Sequence, residues 1–175
     1  MKQLFYFLLI ALMCVTESLS AQTTDVDNNR HLFIETNVVL GTRNNQLLPF
    51  SCAISPVYQI NQIVSVSLTA QGQYFLPKEG LTKDYNYNFG LGGGIGVKLF
   101  TLNYKEPSLI EARVSYLSSV SNKDFKNNKY DVGLYWRPQC QGHSLVPVVG
   151  VGYTITDFSN FDTTKGLYCS FGLRF

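Results

Sequence analysis

Seven charged residues occupy the polar positions of alternating apolar and polar segments: Glu35, Lys98, Glu111, Arg113, Asp131, Arg137 and Arg174. Three acids and four bases gathered in one confined space could do two kinds of chemistry. They could pair with one another and plug that space, or they could line a pathway for ions. An unpaired buried charge is strongly unfavourable, so pairing is the plainer expectation. Other reactive groups are sparse. Apart from residues 1–21 the cysteines are Cys52, Cys140 and Cys169, an odd number without close spacing, which is not a disulfide framework. Cys52 and Cys169 fall among apolar strand positions, where a thiol behaves as a small hydrophobe. There is no His/Cys spacing of a metal site and no nucleophile elbow, so neither metal, cofactor nor catalytic residue is expected. Gly90-Leu91-Gly92-Gly93-Gly94-Ile95-Gly96 invites a phosphate-loop reading, but no G-x-G-x-x-G frame fits and no helical pattern follows. A row of glycines on one strand face lets the strand coil and leaves volume for neighbours such as Glu111 and Arg113.

The elements that position these residues begin after an export signal. The chain has 175 residues, enough for one domain, and a net charge of +2. Leu4–Met13 is the one long apolar run, with Lys2 before it and the small residues Ser18-Leu19-Ser20-Ala21 after it. That order reads as a cleaved signal peptide over residues 1–21, leaving a short tail over 22–30. Cys14 would suit lipid attachment only with a small residue before it, and Met13 is not small. Loss of residues 1–21 removes Lys2 and Glu17 and leaves the net charge unchanged. So mild a balance makes no electrostatic case for nucleic acid.

From Arg30 to Phe175 the dominant period is two, the period of a strand whose faces differ chemically. Val64, Val66, Leu68, Ala70 and Tyr74 alternate with Ser65, Ser67, Thr69, Gln71 and Gln73 in Ile63–Leu76. In Tyr85–Leu99 apolar residues alternate with Asn86, Asn88, Gly90, Gly92, Gly94, Gly96 and Lys98. The segments Ile110–Leu117, Tyr130–Arg137, Val149–Thr156 and Leu167–Phe175 behave alike, with Phe175 on the apolar side. Two weaker strands, His31–Gly41 and Leu47–Ile60, bring the number to eight. The connections are turn-like: Thr42–Gln46, Asn61-Gln62, Pro77–Asp84, Thr101–Ser108, Asn122–Asn128, Pro138–Ser144 and Asp157–Lys165.

A water-soluble barrel would cover its polar face with Lys and Glu. Here that face is mostly Gly, Ser, Thr, Asn and Gln, which suits the narrow interior of a closed eight-stranded barrel. The apolar face is large, and Tyr74, Tyr85, Tyr87, Tyr130, Trp136 and Phe175 cluster near strand ends as interfacial girdles do. The predicted fold is therefore all-β, an antiparallel up-and-down transmembrane β-barrel of eight strands over residues 31–175, after a cleaved signal peptide. The closing segment Ser170-Phe171-Gly172-Leu173-Arg174-Phe175 resembles the C-terminal sorting signal of outer-membrane barrels, with Ser170, Gly172, Leu173 and Phe175 at the matching positions. The chain thus resembles the small outer-membrane β-barrel proteins over His31–Phe175.

That resemblance implies a bacterial outer-membrane location, contact with outer-membrane lipid, insertion by the barrel-assembly machinery and both termini in the periplasm. Thr42–Gln46, Pro77–Asp84, Asn122–Asn128 and Asp157–Lys165 would then face outward, and the other turns inward. A lipid-modifying barrel would need a His–Ser or similar pair near the outer rim. Ser159 lies in an outer loop, whereas His31 and His143 fall at the periplasmic ends. The expected function is a non-enzymatic barrel with a side-chain-filled lumen, structural or acting through its loops. The alternatives are a narrow channel for small solutes, a lipid-modifying barrel enzyme and a soluble ligand-binding barrel.

Overall fold

The computed structural model describes residues 31–42, 47–77, 86–104, 106–120, 126–138, 145–160 and 162–175. The expected signal peptide and tail, Cys14, Tyr85, Cys140, His143 and most of the turns Thr42–Gln46, Pro77–Asp84, Asn122–Asn128 and Pro138–Ser144 lie outside the described residues. Eight strands form one closed antiparallel barrel, each paired with its chain neighbours and β1 with β8. They are β1 Leu32–Gly41, β2 Leu47–Gln59, β3 Val64–Pro77, β4 Asn86–Tyr104, β5 Glu106–Ser119, β6 Asn127–Pro138, β7 Val146–Phe158 and β8 Thr164–Arg174. Beyond β8, Phe175 continues the ladder, its N–H donating to Ile34 O at 2.9 Å.

Alternation in the sequence becomes alternation across the wall. In β1 Leu32, Ile34, Val38 and Leu40 are exposed while Glu35 between them is buried. Cross-strand pairing joins such outer residues into continuous rows, one running Ile95, Val114, Val132, Tyr153 and Leu167 over β4 to β8. Every residue of that row is exposed, and outer apolar side chains outnumber buried ones. Aromatic pairs sit on this outer wall towards the end of the barrel away from the termini: Phe50 with Tyr74, centroids 6.3 Å apart, and Tyr116 with Tyr130 at 5.1 Å. No helix of the described residues is long and apolar enough to cross a membrane, which says nothing of strands.

Two expectations need correction. Within the segment Thr101–Ser108, expected as a turn, Thr101–Tyr104 and Glu106–Ser108 are strand; β4 and β5 pair out to Tyr104 and Glu106. Its Asn, Lys and Pro residues read as turn chemistry, but a ladder already in register carries the strands past them. A register shift between Lys98 and Phe100 makes Leu99 an extra residue, so Leu99 and Phe100 are both exposed. Phe175, expected on the apolar outer side, is buried at 6% exposure. By contrast, Asn61 makes the expected tight turn: its Oδ1 accepts the N–H groups of Ile63 and Val64 at 2.8 and 2.7 Å.

Candidate functional site

The polar residues of all eight strands converge on the lumen, and its contents form distinct layers. Nearest the end where β1 starts and β8 stops lies a four-residue charge network. Arg113 of β5 reaches across the lumen to Glu35 of β1, donating through Nη1 to Oε2 at 2.6 Å and through Nη2 to Oε1 at 3.0 Å. This is the two-pronged geometry that matches a guanidinium to a carboxylate. The same Nη2 donates to Glu111 Oε2 at 3.0 Å. Arg174 of β8 donates from Nε to Glu35 Oε1 at 2.5 Å, and its Nη2 also contacts Glu35. Ser65 Oγ completes the arrangement by donating to Glu111 Oε1 at 2.7 Å. Glu35 is 1% exposed, so its charge is held by two guanidiniums and not by water.

Local backbone composition makes room for this. Gly96 of β4 is paired with Arg113, and a Cβ there would run into the Glu111 carboxylate and sit 2.5 Å from Ser65 Oγ. The expectation that the glycine row frees space for Glu111 and Arg113 is met at this position. The guanidinium of Arg113 also lies 4.3 Å above the Tyr135 ring, and that of Arg174 lies 5.2 Å from the Phe33 ring.

The middle of the barrel is occupied by Tyr135 and Tyr168, whose hydroxyls are 3.0 Å apart. Glycines again supply the room. A Cβ at Gly150 would lie 2.5 Å from Tyr135 Cε1, and one at Gly152 would lie 2.6 Å from Tyr168 Cζ. Between the tyrosines and β1–β4 runs a cavity of about 70 Å³ lined by polar groups including Asn37, Ser67, Thr69, Asp131 and Ser170. Space of that size holds a few water molecules, each needing about 10–15 Å³ on this measure.

Further from the termini a second polar network crosses the lumen. Lys129 of β6 pairs with Asp131 at 3.0 Å and donates to Gln71 Oε1 of β3 at 3.4 Å. Gln73 also donates to that oxygen, at 3.1 Å, and Gln71 donates to Ser51 Oγ of β2 at 2.9 Å. Phe75 and Phe158 stand edge to face, 5.1 Å between centroids, and both are buried. A scan against protein-family models finds no match for the chain, and a search of curated proteins finds none either. The geometry of the lumen is therefore the basis for a functional reading.

Of the seven charges expected inside, the structure brings Glu35, Glu111, Arg113 and Arg174 into one network. Asp131, expected in the same confined space, does not join it. It pairs instead with Lys129, a residue the sequence reading left between a loop and a strand. Lys129 has the same strand parity as Asp131, and that is the signal that could have found it. Phe75 and Phe158 were missed for other reasons: Phe75 falls at a polar-face position of Ile63–Leu76, and Phe158 within Asp157–Lys165, expected as a turn. Lys98 and Arg137 line the lumen near the termini but join no ion pair among the described residues. Among the sorting-signal residues, Ser170 and Gly172 face inward and Phe175 packs at the barrel end, while Leu173 is half-buried. Cys169 is exposed and Cys52 half-buried, both as free thiols. Among the described residues no group of His, Cys, Asp and Glu could hold a metal.

Proposed function

We propose that the chain is an integral protein of a bacterial outer membrane, a barrel with a side-chain-filled lumen and a non-enzymatic role in the envelope or in contacts made by its outer loops. One observation carries the reading: the polarity of the molecule is inverted. Glu35, Glu111, Lys129 and Arg174 are buried inside, while Leu68, Val114, Val132, Val151 and Leu167 are at least half exposed on a continuous outer wall. A water-facing surface of that composition would associate, whereas a bilayer solvates it. A closed sheet also leaves no unpaired edge to meet hydrocarbon. Insertion by the barrel-assembly machinery rests on the likeness of Ser170, Gly172, Leu173 and Phe175 to the sorting signal. An ion pair spanning from β1 to β5 and a hydrogen bond from β6 to β3 occupy the cross-section, which favours a plug over a channel.

Cell fractionation with carbonate extraction, followed by electrophoresis of heated and unheated samples, tests the location. The protein is expected to stay with the membranes and to run as a compact species until heated. Release by carbonate with identical mobilities would refute it. In planar bilayers the purified barrel is expected to be silent, and conductance steps would move the narrow channel to first place.

A further inference from the structure

We propose that the lumen mouth at the terminus end binds a small oxyanion, a carboxylate or a phosphate, between Lys98 and Arg137. Four bases and two acids, Lys98, Arg113, Arg137, Arg174, Glu35 and Glu111, face this half of the lumen. The acids are already committed. Both Glu35 oxygens are engaged by Arg113 and Arg174, Glu111 Oε2 by Arg113, and Glu111 Oε1 by Ser65. Lys98 is paired through its backbone with Glu111, yet its ammonium makes no ion pair among the described residues. Arg137 likewise has none, and its Nε is buried without a hydrogen-bond partner. Two uncompensated cations in a confined, weakly screened space form an anion site, because each repels the other until a negative charge lies between them.

Both side chains line one cavity of about 20 Å³, together with Gln59, Gln62, Ser65 and Arg174. Space of that size takes one or two water-sized atoms, so it admits the oxygens of a small anion and not a large ligand. A guanidinium fork and an ammonium are the groups that recognise such oxygens, and the two glutamine amides add neutral donors. The ligand is a free solute and not a lipid headgroup. Val97 and Trp136, the neighbours of Lys98 and Arg137, are exposed on the outer wall, so the two cations point away from the lipid side.

The test uses the purified full barrel in a maltoside detergent, which carries no phosphate. Inorganic phosphate, and acetate separately, are titrated at constant ionic strength while the Arg137 Nε–Hε signal is followed by NMR. A saturable shift with a dissociation constant on the order of 1 mM is expected. Lys98→Gln should weaken it about tenfold or more, and Arg137→Gln should abolish the phosphate-dependent stabilisation read from thermal unfolding. Absence of a saturable shift at tens of millimolar in the wild-type barrel overturns the site, as does unchanged stabilisation in a folded Arg137→Gln barrel. Should Arg137→Gln not fold, undiminished affinity in Lys98→Gln overturns it. A response to short-chain phosphatidylglycerol but not to inorganic phosphate overturns the free-solute assignment.

Discussion

Towards the termini the lumen is filled by Glu35, Glu111, Arg113 and Arg174, joined to one another by ion pairs. In the middle it is filled by Tyr135 and Tyr168, which touch through one hydroxyl pair and pack as rings against inward glycines, with the Arg113 guanidinium over the Tyr135 ring. The two regions use the same device, glycines on the adjoining strand, for opposite fillings. Gly96 admits a carboxylate; Gly150 and Gly152 admit aromatic rings. The difference lies in what happens when one member is lost. A ring that leaves creates a hole of ordinary size. A carboxylate that leaves strands two guanidiniums.

The sharpest way to break that contrast is Glu35→Ala. It leaves Arg113 and Arg174 without their shared partner and is expected to cost about 3–5 kcal/mol, as breaking a buried pair does. Urea unfolding of the folded barrel reads it, and a loss under half of that would mean the charged region is as tolerant as the aromatic one. Next in size is Gly150→Ala, whose Cβ meets Tyr135 carbons at 2.5 and 2.6 Å. Overpacking of this kind costs about 1–3 kcal/mol. The double change Gly150→Ala with Tyr135→Leu should recover part of it if the ring is the obstacle, and additive losses would show that it is not. The smallest effect belongs to Tyr168→Phe, which deletes one side of the hydroxyl pair and is expected to cost about 0.5–1.5 kcal/mol. A loss as large as that of Glu35→Ala would erase the distinction between the regions.

Much of this was legible in the sequence, because a strand's parity depends only on neighbours two residues apart. That is why the seven inward charges, the eight strands and the glycine row beside Glu111 and Arg113 could be read directly. Partners are set by register across the barrel, and register is a property of the closed sheet. Nothing near Arg113 in the chain points to Glu35, 78 positions away. Asp131 likewise meets a partner that its parity alone does not name, its own strand neighbour Lys129. The Leu99-Phe100 pair of consecutive apolar residues carried the bulge signal, but turn-like residues just beyond it masked the length of β4 and β5.

The seam between β1 and β8 has a kinetic consequence. Every other ladder joins consecutive strands and can zip up as its hairpin emerges, whereas this one unites segments that are 139 positions apart at Glu35 and Arg174. Chain closure over that distance carries the largest entropic barrier in the molecule and is met last. The seam is a short ladder, pairing from Ile34 to Gly41 along β1. Glu35 and Arg174 stand beside its first rung, so the buried ion pair acts as a latch: it engages when the cylinder shuts, and it sets how long the cylinder stays shut.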